Sequence, residues 1–378
     1  MAPRPRDASR APLPPTAHPT APEGPSQEGR TTGDQPPGGP AGRGRSRGGE
    51  PGRGAARPGR LRRALLCVLV TASVVVPVSG AAKPPAVPAP VPAPVRPLRT
   101  ATPAALAERY AASRAAIADA ERMAAEHGHL RRAGSLRAMA GPSRALLSFD
   151  GRDGGRTVEV FGDLARAGRI AVLVPGTDTD LDRYGRLHGG AASLQRELRE
   201  RGGDGASVVV AWLGYRTPSL FGPEVLTSGR AAEAAPGLRR FVRELRALRP
   251  AARISLVCHS YGSVVCARVA SEPGVSDVVL YGSPGTGVDH VAGLGTRATV
   301  WTGRATGDWV SAVPHTRVRL PFTTLGFGTD PVSPEFGARV FAAGDGGHSD
   351  YLRPGSVALE NVARIILEAP PVAAGHRG

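Results

Sequence analysis

Two kinds of hydrophobic pattern follow one another between residues 145 and 367. Short apolar runs predict strands, and segments in which apolar residues recur every three or four positions predict helices. The predicted strands are residues 145–149, 158–161, 170–174, 208–213, 254–257, 278–281, 299–301 and 339–342. Helical periods occupy residues 194–198, 238–248 and 357–367. An early hairpin followed by strands that alternate with helices predicts an α/β domain with a mainly parallel eight-stranded sheet and helices on both faces.

An alanine-rich segment precedes this domain, which we assign to residues 141–370. In residues 100–140, apolar positions such as Leu106 and Ile117 form a stripe among arginine and glutamate, with a break near Gly128. The pattern predicts a helical segment made of two helices. The pair would either pack on the domain or act as an arm that binds a partner, and packing is the simpler interpretation.

The first 60 residues have a different composition. Residues 1–60 contain 13 Pro and 12 Gly, and the first aromatic residue of the chain is Tyr110. Such a segment buries too little apolar surface to offset its ordering entropy, so we predict a disordered tail. The chain carries a net charge of +16, but 47 of its 48 basic residues are arginine spread along the sequence. Without a basic stripe or interleaved aromatic residues, we expect no nucleic-acid partner.

One uncharged run, between Arg63 and Lys83, is long enough to cross a bilayer. Basic residues precede it, so we predict a cytoplasmic amino terminus and export of the carboxyl side. Residues 61–82 are therefore either a cleaved signal peptide or a single membrane anchor. Residues 83–99 are rich in proline and predict an extended linker. The expected location is extracellular or in the cell envelope, with membrane contact through this anchor if it is not cleaved.

The segment around Ser260 carries the strongest chemical signal. An apolar run at residues 254–257 leads into C-H-S-Y-G at residues 258–262, and a helical pattern follows at once. Strand, sharp turn and helix form a nucleophile elbow, which exposes the serine hydroxyl at the edge of the sheet. Cys258 stands where the first glycine of G-x-S-x-G usually lies. We interpret Cys258 and Cys266 as buried small apolar residues, and their spacing predicts no disulfide.

Two loops supply partners for this serine. In an open α/β sheet, functional groups gather beyond the carboxyl ends of the strands. His348 lies in a glycine-rich loop after the last predicted strand and is the candidate general base. Asp308 follows the seventh predicted strand and is the candidate acid, which gives the chain order Ser, Asp, His. Asp289, which follows the sixth predicted strand, is the alternative acid.

Two backbone N–H groups are candidates for an oxyanion hole. In this architecture one donor belongs to the residue after the nucleophile, here Tyr261. The other comes from the loop after the first parallel strand, here Thr177. No metal or organic cofactor is implied.

The chain resembles an actinobacterial α/β-hydrolase family, best known as a domain of unknown function, in six blocks that occur in order. The blocks are V-P-G-T at 174–177, A-W-L-G-Y at 211–215, H-S-Y-G-S at 259–263, Y-G-S-P-G at 281–285, G-D-W at 307–309 and H-S-D-Y at 348–351. The resemblance covers about residues 103–367 and implies an α/β-hydrolase fold with Ser260, Asp308 and His348 as a serine-hydrolase triad. It implies no substrate. The chain departs from the family at Cys258, where glycine is commoner.

These residues together predict a serine hydrolase that cleaves an ester, or an amide, through an acyl-enzyme on Ser260. The substrate would be a small-molecule ester or one carried by a lipid or a polymer. An acyltransferase of the cell envelope and a non-catalytic binding module are the alternative hypotheses. The segment 282–297, between the sixth and seventh predicted strands, has only 16 residues, too few for a helical lid. We therefore expect residues 216–232 and 311–337 to form the open walls of a groove.

Overall fold

Ten strands and six helices make up the described part of the chain. The structure is a computed structural model that describes residues 87–93, 97–202, 205–369 and 371. The strands are β1 Ala145–Asp150, β2 Arg156–Phe161, β3 Arg169–Val174, β4 Ser207–Leu213, β5 Arg253–His259, β6 Val275–Tyr281, β7 Thr299–Gly303, β8 Val318–Arg319, β9 Thr324–Leu325 and β10 Arg339–Val340. The helices are α1 Pro103–Glu126, α2 Leu130–Met139, α3 Gly185–Gly202, α4 Gly229–Leu248, α5 Gly262–Ala267 and α6 Val357–Ile366.

Eight of the strands form one sheet in the order β1-β2-β4-β3-β5-β6-β7-β10. β2 pairs antiparallel with β1 and with β4, and the remaining neighbours run parallel. Each of the eight predicted strands is present, and the eighth is only two residues long. The hairpin of β8 and β9 is separate from this sheet and was not predicted. The predicted α/β-hydrolase fold with a mainly parallel eight-stranded sheet is confirmed.

The central strands are apolar along their length because helices cover both of their faces. Every residue of β4 is buried, β3 is partly exposed only at its first residue, and β5 only at its two ends. Leu238 and Val242 of α4 pack against one face of the sheet. Leu194 of α3 and Val362 of α6 belong to the core on the other face. This double covering holds the carboxyl ends of β3, β5 and β7 at one edge, where the loops with the candidate residues begin.

The helical pair α1 and α2 packs on the domain, as the simpler interpretation of the sequence expected. Thr102 caps the first turn of α1 through its hydroxyl. Ile117 of α1 and Leu136 of α2 are fully buried in the core that includes β1. Arg132 forms a bidentate ion pair with Asp182, at 2.6 and 2.9 Å, which ties α2 to the loop before α3.

Part of the proline-rich linker also lies against the domain. Val87 packs on the same core as α1. Ala89 is so close to Gly151 that a Cβ on this glycine would lie 2.9 Å from the alanine Cβ. The linker therefore lies on the surface of the domain at Val87 and Ala89 and does not extend away from it there. The predicted tail, residues 1–60, and the predicted signal or anchor, residues 61–82, lie outside the described residues. Among the helices that the structure describes, none has the length and apolar character needed to span a membrane.

A buried carboxylate, Glu159 of β2, joins the helical pair to the domain. Its oxygens accept hydrogen bonds from Arg144, Tyr184 and His188. Arg144 also donates to the Ala138 carbonyl of α2, at 3.3 Å. Burial would raise the pKa of Glu159, but the bonds from His188 and Arg144 outweigh burial, and the pKa lies below its ordinary value.

Glu159→Gln is expected to destabilise the chain by roughly 3 kcal/mol at pH 7, because it leaves the Arg144 guanidinium buried without a counter-charge. The wild-type stabilisation should be complete above the ordinary glutamate pKa and should be lost as the pH falls through the lower folded-state pKa, since the unfolded chain binds the proton first. Urea unfolding should therefore show a difference between the two proteins that shrinks from pH 7 to pH 3.

Glu233→Gln is the matched control. It removes a mostly exposed partner of Arg230 and should cause no measurable change. Equal stability of Glu159→Gln and the wild type at pH 7 would show that the Glu159 network does not hold the helical pair.

Candidate active site

Ser260 occupies a strained turn between β5 and α5. Its φ is +51°, in the left-handed region that residues other than glycine rarely adopt. Its N–H donates to the Tyr281 carbonyl at 3.0 Å. A Cβ on Gly262 would lie 2.6 Å from the Val174 carbonyl oxygen, and one on Gly176 would lie 2.7 Å from the Ser260 Cβ. Both glycines are therefore required by close approach, and the turn has the geometry predicted for a nucleophile elbow.

The structure brings the three predicted triad residues together. Nε2 of His348 lies 3.0 Å from Oγ of Ser260. Nδ1 of the same ring lies 2.9 and 3.0 Å from the two carboxylate oxygens of Asp308. Ser260 follows β5, Asp308 follows β7 and His348 follows β10, so three loops at one edge of the sheet converge. Hydroxyl, imidazole and carboxylate in this sequence of contacts are the arrangement that activates a serine nucleophile.

Asp308 is held as a carboxylate by several donors. Burial alone would raise the pKa of Asp308, but hydrogen bonds from His348, from the Tyr351 hydroxyl and from the Val310 N–H lower it below its ordinary value. Tyr351 also accepts from the Ala305 N–H at 3.1 Å, which fixes its position. Burial and the bond to Asp308 raise the pKa of Tyr351 well above its ordinary value, so Tyr351 stays a proton donor to the carboxylate. The sequence analysis assigned no role to Tyr351.

Asp289, the alternative acid, lies elsewhere. Its carboxylate pairs with Arg317, whose guanidinium also donates to the Gly287 carbonyl at 2.6 Å. None of the described contacts joins Asp289 to His348. The contacts with His348 therefore favour Asp308 over Asp289 as the acid.

The loop after β3 carries the second candidate oxyanion donor and is held in place by three contacts. The Tyr215 hydroxyl donates to the Pro175 carbonyl at 2.7 Å. Asp178, with φ of +52°, donates its N–H to the Pro218 carbonyl at 3.0 Å and accepts from the Leu220 N–H at 3.1 Å. The N–H groups of Thr177 and Tyr261 make no hydrogen bond to any described residue. Both are thus available to a bound oxyanion.

His259 is a site residue that sequence reasoning missed. Its Nε2 lies 2.8 Å from the His348 carbonyl oxygen. Because a carbonyl only accepts, Nε2 carries the proton. Burial, assisted by the neighbouring His348, lowers the pKa of His259 to about 3, so the ring stays neutral and keeps this donor at any working pH. Its ring also stacks on Tyr281, with centroids 5.0 Å apart. His259 therefore positions the backbone of His348.

Cys258 and Cys266 form a disulfide, contrary to the sequence-based expectation. They are fully buried, as predicted, but their sulfurs are bonded to each other. The elbow turns the chain back on itself, which brings a residue near the end of β5 beside a residue of α5, with Cα atoms 6.5 Å apart. The cysteine that stands where glycine is commoner is thus one partner of this bond. The bond closes a covalent ring of residues 258–266, which includes Ser260.

Loss of this disulfide is expected to destabilise the chain by about 2.5 kcal/mol, the chain-entropy value for so short a loop. The Cys258→Ala/Cys266→Ala variant should unfold at lower urea concentration than the oxidised wild type. Dithiothreitol should lower the wild-type midpoint toward that of the variant and leave the variant unchanged. A wild-type midpoint that does not move, although thiol titration shows that both cysteines are reduced, would contradict this expectation.

A cavity of about 360 Å³ opens beside His348. It is lined by residues of the segments 173–193 and 348–354, together with His259 and Tyr281. Ser260 does not line it, and neither do the loops 216–232 and 311–337, so the groove expected between these loops at Ser260 stays a prediction. The two loops meet each other through the Gly326 N–H and the Leu226 carbonyl at 2.9 Å. Among the described residues, no three His, Cys, Asp or Glu side chains are grouped to hold a metal ion.

Strand order and elbow together are those of an α/β-hydrolase fold. A family model described as alpha/beta hydrolase matches residues 150–318, which confirms the predicted resemblance to an α/β-hydrolase family. An uncharacterized protein of Mycobacterium tuberculosis is 35% identical over 167 residues, which cover 41% of this chain and 62% of that protein. A second one from the same species is 30% identical over 251 residues, which cover 58% of this chain and 38% of its own length. The chain thus spans less than two thirds of either relative.

Two solved structures are similar in fold. One is an α/β serine hydrolase without a lid from Xanthomonas campestris, with 14% identity and a TM-score of 0.38; the match covers 60% of this chain and 95% of that one. The other is the esterase PE8, with 15% identity and a TM-score of 0.38, over 56% of this chain and 97% of that one.

Proposed function

We propose that this chain is a serine hydrolase that cleaves an ester through an acyl-enzyme on Ser260. The observation that carries the proposal is the continuous set of contacts from Ser260 Oγ through the His348 ring to the Asp308 carboxylate, all within 3.0 Å. A buried carboxylate on Nδ1 fixes the tautomer in which Nε2 accepts a proton. That is the state in which His348 acts as the general base.

The first half of the reaction follows from these positions. Nε2 of His348 removes the hydroxyl proton while Ser260 Oγ attacks the ester carbonyl. The carbonyl oxygen becomes an oxyanion, which the N–H groups of Thr177 and Tyr261 would stabilise. Each such donor typically contributes about 10²–10³ in rate. The imidazolium then protonates the leaving alcohol, and the acyl group remains on Ser260.

The second half uses the same groups in reverse. His348 removes a proton from water as the water oxygen attacks the acyl carbon. The second oxyanion then collapses, the bond between the acyl carbon and Ser260 Oγ breaks, and the imidazolium returns its proton to Oγ, which releases the acid and restores the serine. The hydrogen bond from His259 to the His348 carbonyl holds the backbone of His348 in position during both halves of the reaction. An acyl transfer would differ only in that an alcohol replaces this water.

We place the activity outside the cytoplasm, in the cell envelope or beyond it. The buried disulfide supports this, since disulfides persist in oxidising compartments and are rare in the cytosol. The uncharged run before the linker supports it as well. In that setting the substrate would be an ester carried by a lipid or a polymer, or a small soluble ester.

A fluorophosphonate probe tests the proposal directly. The wild-type chain should be labelled on Ser260 and should hydrolyse a short p-nitrophenyl ester. Ser260→Ala should abolish both signals while its circular dichroism remains that of the wild type. Ser349→Ala, which removes an exposed serine beside His348, is the matched control and should be labelled normally. Labelling that survives in Ser260→Ala, or a wild type that neither reacts nor hydrolyses, would refute the proposal and favour a binding module.

A further inference from the structure

Six large apolar side chains stand exposed on two neighbouring loops. They are Phe221, Leu226, Val318, Leu320, Phe322 and Leu325, and we call them the apolar rim. Phe322 is 101% exposed and Phe221 86% exposed. Monomeric soluble proteins seldom expose contiguous apolar patches larger than a few hundred Å², and those that do usually bind something there.

Backbone pairing joins the two loops that carry the rim. β8 and β9 form a hairpin in which Val318 is paired with Leu325. Leu320 closes the turn of this hairpin by donating its N–H to the Thr323 carbonyl at 2.7 Å, so Phe322 lies at the tip. The second loop joins the hairpin through an isolated bridge between Thr227 and Leu325.

The rim lies on the same edge of the sheet as Ser260. Its two loops follow β4 and β7, and the elbow follows β5, so all three begin at carboxyl ends of parallel strands. Tyr261, which follows the nucleophile, donates its hydroxyl hydrogen to the Thr227 carbonyl at 2.7 Å. Its ring packs edge-on against Phe327, directly after the hairpin, with centroids 5.7 Å apart. Tyr261 therefore connects the elbow directly to both loops that carry the rim.

Two arginines beside the rim are without an ion pair among the described residues. The segments 216–232 and 311–328 contain four arginines and one glutamate. Arg230 pairs with that glutamate, Glu224, and with Glu233, and Arg317 pairs with Asp289. Arg216 and Arg319 form no ion pair with any residue that the structure describes. Arg319 is itself part of β8, between two members of the rim.

We propose that the apolar rim docks this protein on an anionic lipid bilayer. Exposed aromatic and aliphatic side chains enter the boundary between headgroups and acyl chains, and arginines beside them meet the lipid phosphates. A hairpin with strands of two residues and its apolar side chains at the tip fits insertion better than it fits a flat protein interface. This docking goes beyond the proposed hydrolysis and does not require it. Where both hold, the edge that carries Ser260 faces the lipid.

The test uses the full chain, vesicles and a reporter at the rim. Residues 61–82 are expected to bind lipid on their own, so total vesicle binding does not report on the rim. Phe322→Trp places an indole at the tip, and Leu130→Trp places one at an exposed position of α2 outside the rim. With vesicles rich in phosphatidylglycerol that carry brominated acyl chains, the added emission of Phe322→Trp should be quenched. That of Leu130→Trp should not.

The charge dependence provides a second measurement. At a lipid concentration that saturates binding of the chain, the ratio of quenched to unquenched Phe322→Trp emission should be more than about tenfold lower on phosphatidylcholine alone than on anionic vesicles. Arg319→Gln in the same background should lower this ratio about fivefold on anionic vesicles and leave it unchanged on neutral ones. Adding Ser260→Ala should alter neither value, so a failure of docking and a failure of catalysis are read separately.

Three results would overturn the proposal. One is the absence of quenching at position 322 on anionic vesicles, and another is equal quenching at position 130. The third is a sedimentation experiment in which Leu320→Ser/Phe322→Ser converts a dimer of the wild type into monomers, because the rim would then be an interface between copies of this chain.

Discussion

His348→Ala is expected to lower kcat for a p-nitrophenyl ester by as much as Ser260→Ala does, on the order of 10⁴-fold or more. Triad members act as a unit: without the base, the hydroxyl of Ser260 keeps its proton and is a weak nucleophile. The double variant should be no slower than either single variant, because the losses do not add. Steady-state rates of the three variants, with circular dichroism to check the fold, make the comparison.

Two other histidines serve as controls. His290 is exposed and its Nδ1 contacts the Glu335 carbonyl at 3.0 Å. His315 lies between the Pro284 carbonyl and Asp330. Neither contacts Ser260, so His290→Ala and His315→Ala should retain most of the activity. A mild effect of His348→Ala together with a severe effect of either control would show that the general base is not His348.

The fold and the three converging side chains could be predicted because their signals are local. A β-branched apolar run covered on both faces predicts a parallel strand wherever it occurs, as with the fully buried β4. Functional side chains in this architecture follow strands directly, so Ser260, Asp308 and His348 are found by reading the residue types just beyond each strand. The order of strands in space was not needed for that step.

Features that depend on distant contacts could not be predicted in this way. His259 acts through a carbonyl 89 positions away, and Tyr215 through one 40 positions away. Their residue types alone fit many other roles. The bond between Cys258 and Cys266 joins residues only eight apart, but it depends on how closely the elbow folds α5 against β5. The signal that was available was the cysteine at a position where glycine is commoner.

The pairing of two long loops shows a related limit. The loops 216–232 and 311–337 were expected to be open walls because they are long and rich in proline and glycine. Composition predicts irregular backbone, but it does not say what the backbone pairs with. Here the loops pair with each other at Leu226 and Gly326, and their apolar side chains point outward to form the rim. The cavity beside His348 is bounded by other segments of the chain.

Asp308→Asn is expected to lower kcat by about 10⁴-fold, the loss typical when a triad carboxylate becomes an amide. The carboxylate accepts the proton of Nδ1 and so leaves Nε2 free to take the proton of Ser260. An amide NH₂ turned toward the ring would favour the opposite tautomer, with the proton on Nε2. The Tyr351 hydroxyl would still have an oxygen to donate to, so the fold should be unaffected.

Two aspartates provide the comparison for this variant. Asp289→Asn removes the negative charge that pairs with Arg317. Asp350→Asn removes a negative charge in the loop of His348 itself and keeps an oxygen that can accept from the Gly347 N–H. Both should keep kcat within about tenfold of the wild type, because neither carboxylate reaches the imidazole. Measurement of kcat and KM for the three variants on one ester decides between the acids. If Asp289→Asn lost more activity than Asp308→Asn, the acid would belong to the loop after β6, and the contact between Asp308 and His348 would be structural.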